Sequence, residues 1–147
     1  MEEPLDFLKP RVLGIDYGES RIGLAITDEL GMLAHPLETI HCRDCNPLDR
    51  IQALVSEKRV AEIVIGFPLS LNETEGPAAQ KVRGFHRRLV ERLPEMSVIF
   101  VDERYSTVEA QLKLRAVGKT TKGTRGVIDQ AAAVEILQGY LDAGGIE

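Results

Sequence analysis

Two short runs of branched residues separated by a tight turn, followed by a change of rhythm, limit the folds open to this chain. Arg11 to Tyr17 reads R-V-L-G-I-D-Y and Arg21 to Thr27 reads R-I-G-L-A-I-T, with Gly18-Glu19-Ser20 between them. Two such runs across a short polar turn predict an antiparallel pair. A second turn, Asp28 to Gly31, leads to a third strand over Met32 to Ile40, bent at Pro36 and therefore expected at a sheet edge. From Asn46-Pro47 the period lengthens. Leu48, Ile51, Leu54 and Val55 stand at helical spacing and predict a helix to about Arg59. Glu62 to Phe67 reads as a buried strand and Pro77 to Leu93 as a helix with Val82, Phe85 and Leu89 on one face. Ser97 to Val101 reads as another strand.

Further on, Ser106 and Glu109 have the spacing of a capping box and open a helix. Lys119 to Gly126, K-T-T-K-G-T-R-G, reads as a basic, flexible break, and a last helix runs from about Val127 to Leu141. The order is β-β-β-α-β-α-β-α-α. A meander feeding βα units predicts an α/β fold: a mixed five-stranded sheet, antiparallel then parallel, with helices on both faces. No repeat or linker divides the chain, so one domain over residues 1–147, with its core at about 11–142, is expected.

Composition narrows the surroundings. No run approaches the roughly 18 apolar residues of a membrane span, and the acidic start, Met1-Glu2-Glu3-Pro4, has no apolar signal region. A cytoplasmic protein is expected. Cys42 and Cys45 are too few for a disulfide scaffold, and H-C-R-D-C, with His35 as the nearest further ligand, falls short of a structural zinc set; reduced thiols are expected. The net charge of −5 argues against nucleic-acid binding by bulk charge. The charge is uneven, however. Residues 81–125 hold eleven Lys and Arg against five Asp and Glu, whereas residues 126–147 hold no Lys or Arg and four acids. The basic stretch is either a solvated surface or a contact surface for phosphates.

Three acids stand at positions that need a reason. Asp16 ends the first strand and alternates with Gly14 and Val12. Asp102-Glu103 follows V-I-F-V, and only one of the two can share a face with Val101 and Ile99; parity selects Glu103. Asp129 begins the stripe Ala132, Ala133, Ile136 and Tyr140 of the last helix, where an ionised carboxylate is costly unless paired or bound to metal. Each has an ordinary reading as a turn former, strand end or helix-dipole partner. Together they place carboxylates at two strand ends and on a facing helix. Such acids repel one another, and a hard cation relieves the penalty; oxygen-only ligands suit Mg²⁺ or Mn²⁺. One or two ions so held serve phosphodiester hydrolysis.

Four motifs in order carry a family resemblance: G-I-D-Y-G-E-S-R-I-G-L-A-I-T-D, I-V-I-G-F-P-L-S-L-N-E-T-E-G-P, V-D-E-R-Y-S-T-V-E-A and K-G-T-R-G-V-I-D-Q-A-A-A-V-E-I-L. Over about Arg11 to Asp142 the chain resembles the YqgF family, RNase H-like proteins related to the Holliday-junction resolvase RuvC. The resemblance implies a nuclease, a hydrolase of ester bonds, acting on the 5′ end of pre-16S rRNA in ribosome biogenesis. Its alternatives are a junction-resolvase-like DNA endonuclease and a non-catalytic RNA-binding module. The resemblance also puts the catalytic and metal-binding set on Asp16, Glu103 and Asp129. Arg21 matches the family, while Ser20 stands where many members have a basic residue.

The implied partners are RNA, an rRNA precursor on or off the ribosome, and branched DNA. Asn72 and Thr74, in the loop Pro68 to Gly76, lie after a strand end, where open α/β sheets bind ligands. Arg104, Lys119, Lys122 and Arg125 are the candidates for holding flanking phosphates, with Arg21 beside them. A phosphotransferase is the remaining rival, since D-Y-G-E-S-R-I-G resembles a phosphate hairpin of actin-like ATPases. Those need two such domains, and 147 residues supply one. Monomer and dimer both suit the sequence.

Overall fold

The computed structural model describes residues 10–68, 76–102 and 122–144, with residues 122–127 described by backbone alone. Strands β1 (Arg11–Asp16), β2 (Arg21–Thr27) and β3 (Ala34–His41) form the meander, followed by helix α1 (Pro47–Lys58), strand β4 (Val60–Phe67), helix α2 (Pro77–Arg92), strand β5 (Ser97–Asp102) and helix α3 (Lys122–Asp142). The sheet order is β3-β2-β1-β4-β5. The β1–β2 and β2–β3 pairs are antiparallel, and β1–β4 and β4–β5 are parallel. The expected mixed five-stranded sheet is thus present, and β1 lies at its centre. The carboxyl ends of β1, β4 and β5 share one edge, marked by Asp16, Phe67 and Asp102.

Local chemistry sets the boundaries. The side chain of Asn46 caps α1, accepting from the backbone N–H of Leu48 at 2.9 Å, and Pro47 follows in the first turn, where its missing N–H costs nothing. Helix α2 starts at Gly76, which has no side chain to cap it, and Pro77 again occupies the first turn. Pro36 lies on the edge strand, as its missing donor requires. Opposite it the register shifts: Leu24 faces Glu38 and Ala25 faces Pro36, which leaves Leu37 as the extra residue of a bulge.

One boundary differs from expectation. Residues 122–126 were expected in a flexible break, yet the backbone is helical from Lys122. Gly123 and Gly126 cost a helix only about 1 kcal/mol each relative to alanine, a local bias that packing of the downstream face overrides. The helix expected from Ser106 lies outside the described residues.

The sheet is covered on both sides. Leu13, Ile15, Ile22, Leu24, Ile63 and Ile65 form one buried cluster with Ile51 and Leu54 of α1 and Phe85 and Leu89 of α2. Val12, Ala25 and Val64 form the other with Ala133, Ile136 and Leu137 of α3.

Candidate active site

The site begins with glycine. Gly14 pairs with Ala25, and Asp16 pairs with Gly23, so small residues occupy adjacent positions on the α3 face of β1 and β2. A Cβ added at Gly14 would stand 2.8 Å from Cβ of Leu137, and one added at Gly23 would collide with the backbone oxygen of Asp129. At these two positions helix α3 therefore lies directly on strand backbone, which neither an alanine at Gly23 nor one at Gly14 would allow without displacement.

This close approach puts Asp129 beside the end of β1. Gly23 is the residue under Asp129 and is also the register partner of Asp16. Alternation gives Asp16 the same face as Val12, which packs against α3. On the other side Gly23 pairs with Thr39, whose hydroxyl accepts a hydrogen bond from Gln130 Nε2 at 3.0 Å. One row across the sheet, Thr39–Gly23–Asp16, thus lies beneath the turn of α3 that carries Asp129 and Gln130.

Arg21 completes this cluster. Its Nε donates to Oδ2 of Asp129 at 2.7 Å, and the two side chains retain 34% and 18% of their exposure. The partner that the half-buried Asp129 needs is therefore Arg21. Two further bonds anchor α3 along the sheet. Gln138 accepts from the Ala34 N–H at 2.9 Å, and Tyr140 donates to Glu62 at 2.6 Å. Burial first, then the bond to Glu62, pushes the Tyr140 hydroxyl up to about 12.

The sequence-predicted residues divide as follows. Asp16, Arg21 and Asp129 are brought to one sheet face at one strand end. On β5, Ile99 and Val101 pack with the α3 cluster and Phe100 with the opposite one, so the strand alternates as the sequence indicated. Glu103, Arg104, Asn72, Thr74 and Lys119 lie outside the described residues. Lys122 and Arg125 belong to the first turns of α3, described by backbone. Sequence reasoning missed Gly23, Thr39 and Gln130. The alternation of Gly23 with Ala25 in R-I-G-L-A-I-T, small residues on one face of a strand, was the available signal.

The family described as "RuvX: Holliday junction resolvase" matches residues 10–143. The chain belongs to that family. It is the YqgF family of the sequence resemblance, a family of nucleases, hydrolases acting on phosphodiester bonds. A relative from Mycobacteroides abscessus is 43% identical over 141 residues, which cover 95% of this chain and 85% of that protein. One from Acetivibrio thermocellus is 47% identical over 137 residues, covering 92% and 97%. Both carry the name "Putative pre-16S rRNA nuclease". Among solved structures, Thermus thermophilus RuvC in complex with a Holliday junction substrate superposes with a TM-score of 0.58 at 15% identity, covering 92% of this chain and 97% of RuvC. That likeness establishes the RNase H-like fold of RuvC. No described helix is long and apolar enough to cross a membrane.

Proposed function

We propose that this chain is a metal-dependent nuclease that hydrolyses phosphodiester bonds at the 5′ end of pre-16S rRNA during ribosome biogenesis. The observation that carries the reading is the seating of Asp129 on Gly23, the register partner of Asp16. It brings together two carboxylates that lie more than a hundred residues apart in sequence. The names of the relatives support the RNA substrate.

The donor chemistry fits a hard cation, because both groups offer oxygen and Arg21 engages only Oδ2 of Asp129. Asp16 and Asp129 would hold one or two Mg²⁺ or Mn²⁺, with Glu103 as third ligand by its parity with Ile99 and Val101. Ions held there would supply a lowered pKa for bound water and neutralise charge at the departing oxygen. The chain's own residues orient the parts. Arg21 fixes the rotamer of Asp129 through Nε and keeps its remaining N–H donors for a phosphate. Asn72, Arg104, Lys119, Lys122 and Arg125 are assigned to the flanking strand, where phosphate contacts set position without reading sequence. Residues 1–147 act as one nuclease domain in this reading, and its place of work is the cytoplasm, where ribosomes assemble.

The family description favours a second reading, cleavage of branched DNA, for which a dimer would allow symmetric cuts. One experiment separates the readings. A structured rRNA-precursor fragment, plain single-stranded RNA and a four-way DNA junction, each end-labelled, are incubated with Mg²⁺, Mn²⁺ or EDTA, with Asp16→Asn in parallel. We expect metal-dependent cutting of the precursor that the variant lacks. Its rate should fall by more than the roughly 10–100-fold typical of residues that support a metal ligand from behind. Preferential cutting of the junction favours the second reading. Equal silence of both proteins on every substrate defeats the nuclease in favour of an RNA-binding module.

A further inference from the structure

Two concavities meet at Tyr17. The smaller, about 360 Å³, adjoins Asp16 and Lys81 at the carboxyl end of β1. The larger, about 550 Å³, is rimmed by Arg43, Asp44 and Arg88. Tyr17 and Glu19 line both. Tyr17 follows Asp16 directly but belongs by alternation to the opposite face, where it packs with the α1/α2 cluster. Both cavities lie on that α1/α2 side of the sheet, and the smaller one reaches Asp16 at the strand end.

The lining has the character of a nucleotide site. The Tyr17 ring stacks on Phe85, with centroids 4.6 Å apart and planes 26° from parallel, and Phe85 is 1% exposed. Tyr17 is thus a partly buried ring on a rigid backing. Arg43 and Arg88 are exposed, and neither has an ion-pair partner among the described residues. Lys81 does have one, Glu19 at 2.9 Å, but the two side chains are 52% and 65% exposed, so water screens the pair and a phosphate can replace it. At the larger cavity, two guanidiniums face two carboxylates, Glu19 and Asp44. This balance suits a neutral base on the floor with phosphates outside, rather than a buried phosphate.

We propose that the two cavities form a track for single-stranded nucleic acid: the strand leaves Asp16, crosses Tyr17 and seats one unpaired base against that ring, with Arg43 and Arg88 on the adjoining phosphates. The proposal rests on the nuclease reading and adds the strandedness of its substrate. Every base has a π-face, so stacking on an aromatic ring beside cationic residues tolerates any sequence. A duplex holds its bases paired and stacked, and must extrude one before it can occupy such a cavity.

The test is done in EDTA, where binding is read without cleavage. A single-stranded oligoribonucleotide carries one 2-aminopurine, moved position by position. Stacking quenches its fluorescence, and we expect quenching confined to one register. Tyr17→Leu keeps an apolar contact with Phe85, and it should abolish the quench and weaken binding about 5- to 150-fold. The double variant Arg43→Ser/Arg88→Ser changes only exposed side chains and should flatten the salt dependence of binding by about 1.4 in log–log slope. A duplex of the same sequence should bind at least about tenfold more weakly than the single strand.

Uniform quenching, a quench that survives Tyr17→Leu, an unchanged salt slope in the double variant, or a duplex that binds as tightly as the single strand each overturns the track. If Tyr17→Leu does not fold, the double variant and the duplex comparison decide. A localised quench without cleavage in Mg²⁺ or Mn²⁺ defeats the nuclease reading alone, and cleavage without a localised quench defeats the track alone.

Discussion

The two faces of the sheet are built to opposite specifications. Toward α1 and α2 the strands present Leu13, Ile15, Ile22, Leu24, Ile63 and Ile65, all buried. Toward α3, β1 and β2 present Gly14, Gly23 and Ala25 at adjoining register positions. The first face maximises apolar area removed from water, the dominant favourable term in folding. The second gives up side-chain volume so that a helix backbone can approach the strands. The thick face therefore holds the fold together, and the thin face sets the distance between Asp16 and Asp129.

This contrast can be broken experimentally at four points. The largest effect on stability belongs to the thick face. Ile65→Ala should cost about 2–5 kcal/mol in denaturant unfolding, while cleavage per folded molecule stays at the wild-type rate. A loss of activity beyond the unfolded fraction would mean that the thick face also shapes the site. Gly23→Ala should do the reverse. Overpacking costs about 1–3 kcal/mol, and because the new methyl pushes on Asp129, cleavage at temperatures where the protein remains folded should fall about 10²-fold. Wild-type cleavage in that variant would sever the link between the close approach and the chemistry.

Arg21→Met comes next. It should cost about 1 kcal/mol, since its ion pair is only partly buried, yet weaken RNA binding measured by titration at several salt concentrations. The effect at Tyr140 is confined to alkaline pH. A hydroxyl raised to about 12 in the folded state, against 10 ordinarily, adds stability that is fully present below pH 10 and disappears as pH climbs toward 12. Tyr140→Phe should lose that alkaline decline, which melting curves between pH 9 and pH 12 would show.

Much of the architecture was legible because it rests on local signals. Branched runs around Gly18-Glu19-Ser20 specified the meander, Asn46-Pro47 specified the start of α1, and Pro36 marked the edge strand. The start of α3 was misjudged because Gly123 and Gly126 look like breakers when local propensity is weighed without the packing that outweighs it. Within the site, Asp16 and Asp129 were legible as acids on otherwise apolar stripes. The partnership of Arg21 with Asp129 was not, because the two lie 108 residues apart and no local pattern reports such a meeting.

By itself, then, the sequence determined the order of the described elements, the faces of their strands and the places of Asp16 and Asp129 on them, all of which follow from periodicities of 2 and 3.6 residues. Tertiary structure alone decided how close those acids come. That distance depends on α3 settling on Gly14 and Gly23, on Gln130 bonding to Thr39 and on Arg21 reaching Asp129. Each is a contact between distant segments, and its geometry exists only once the sheet has formed and the helix has packed on it.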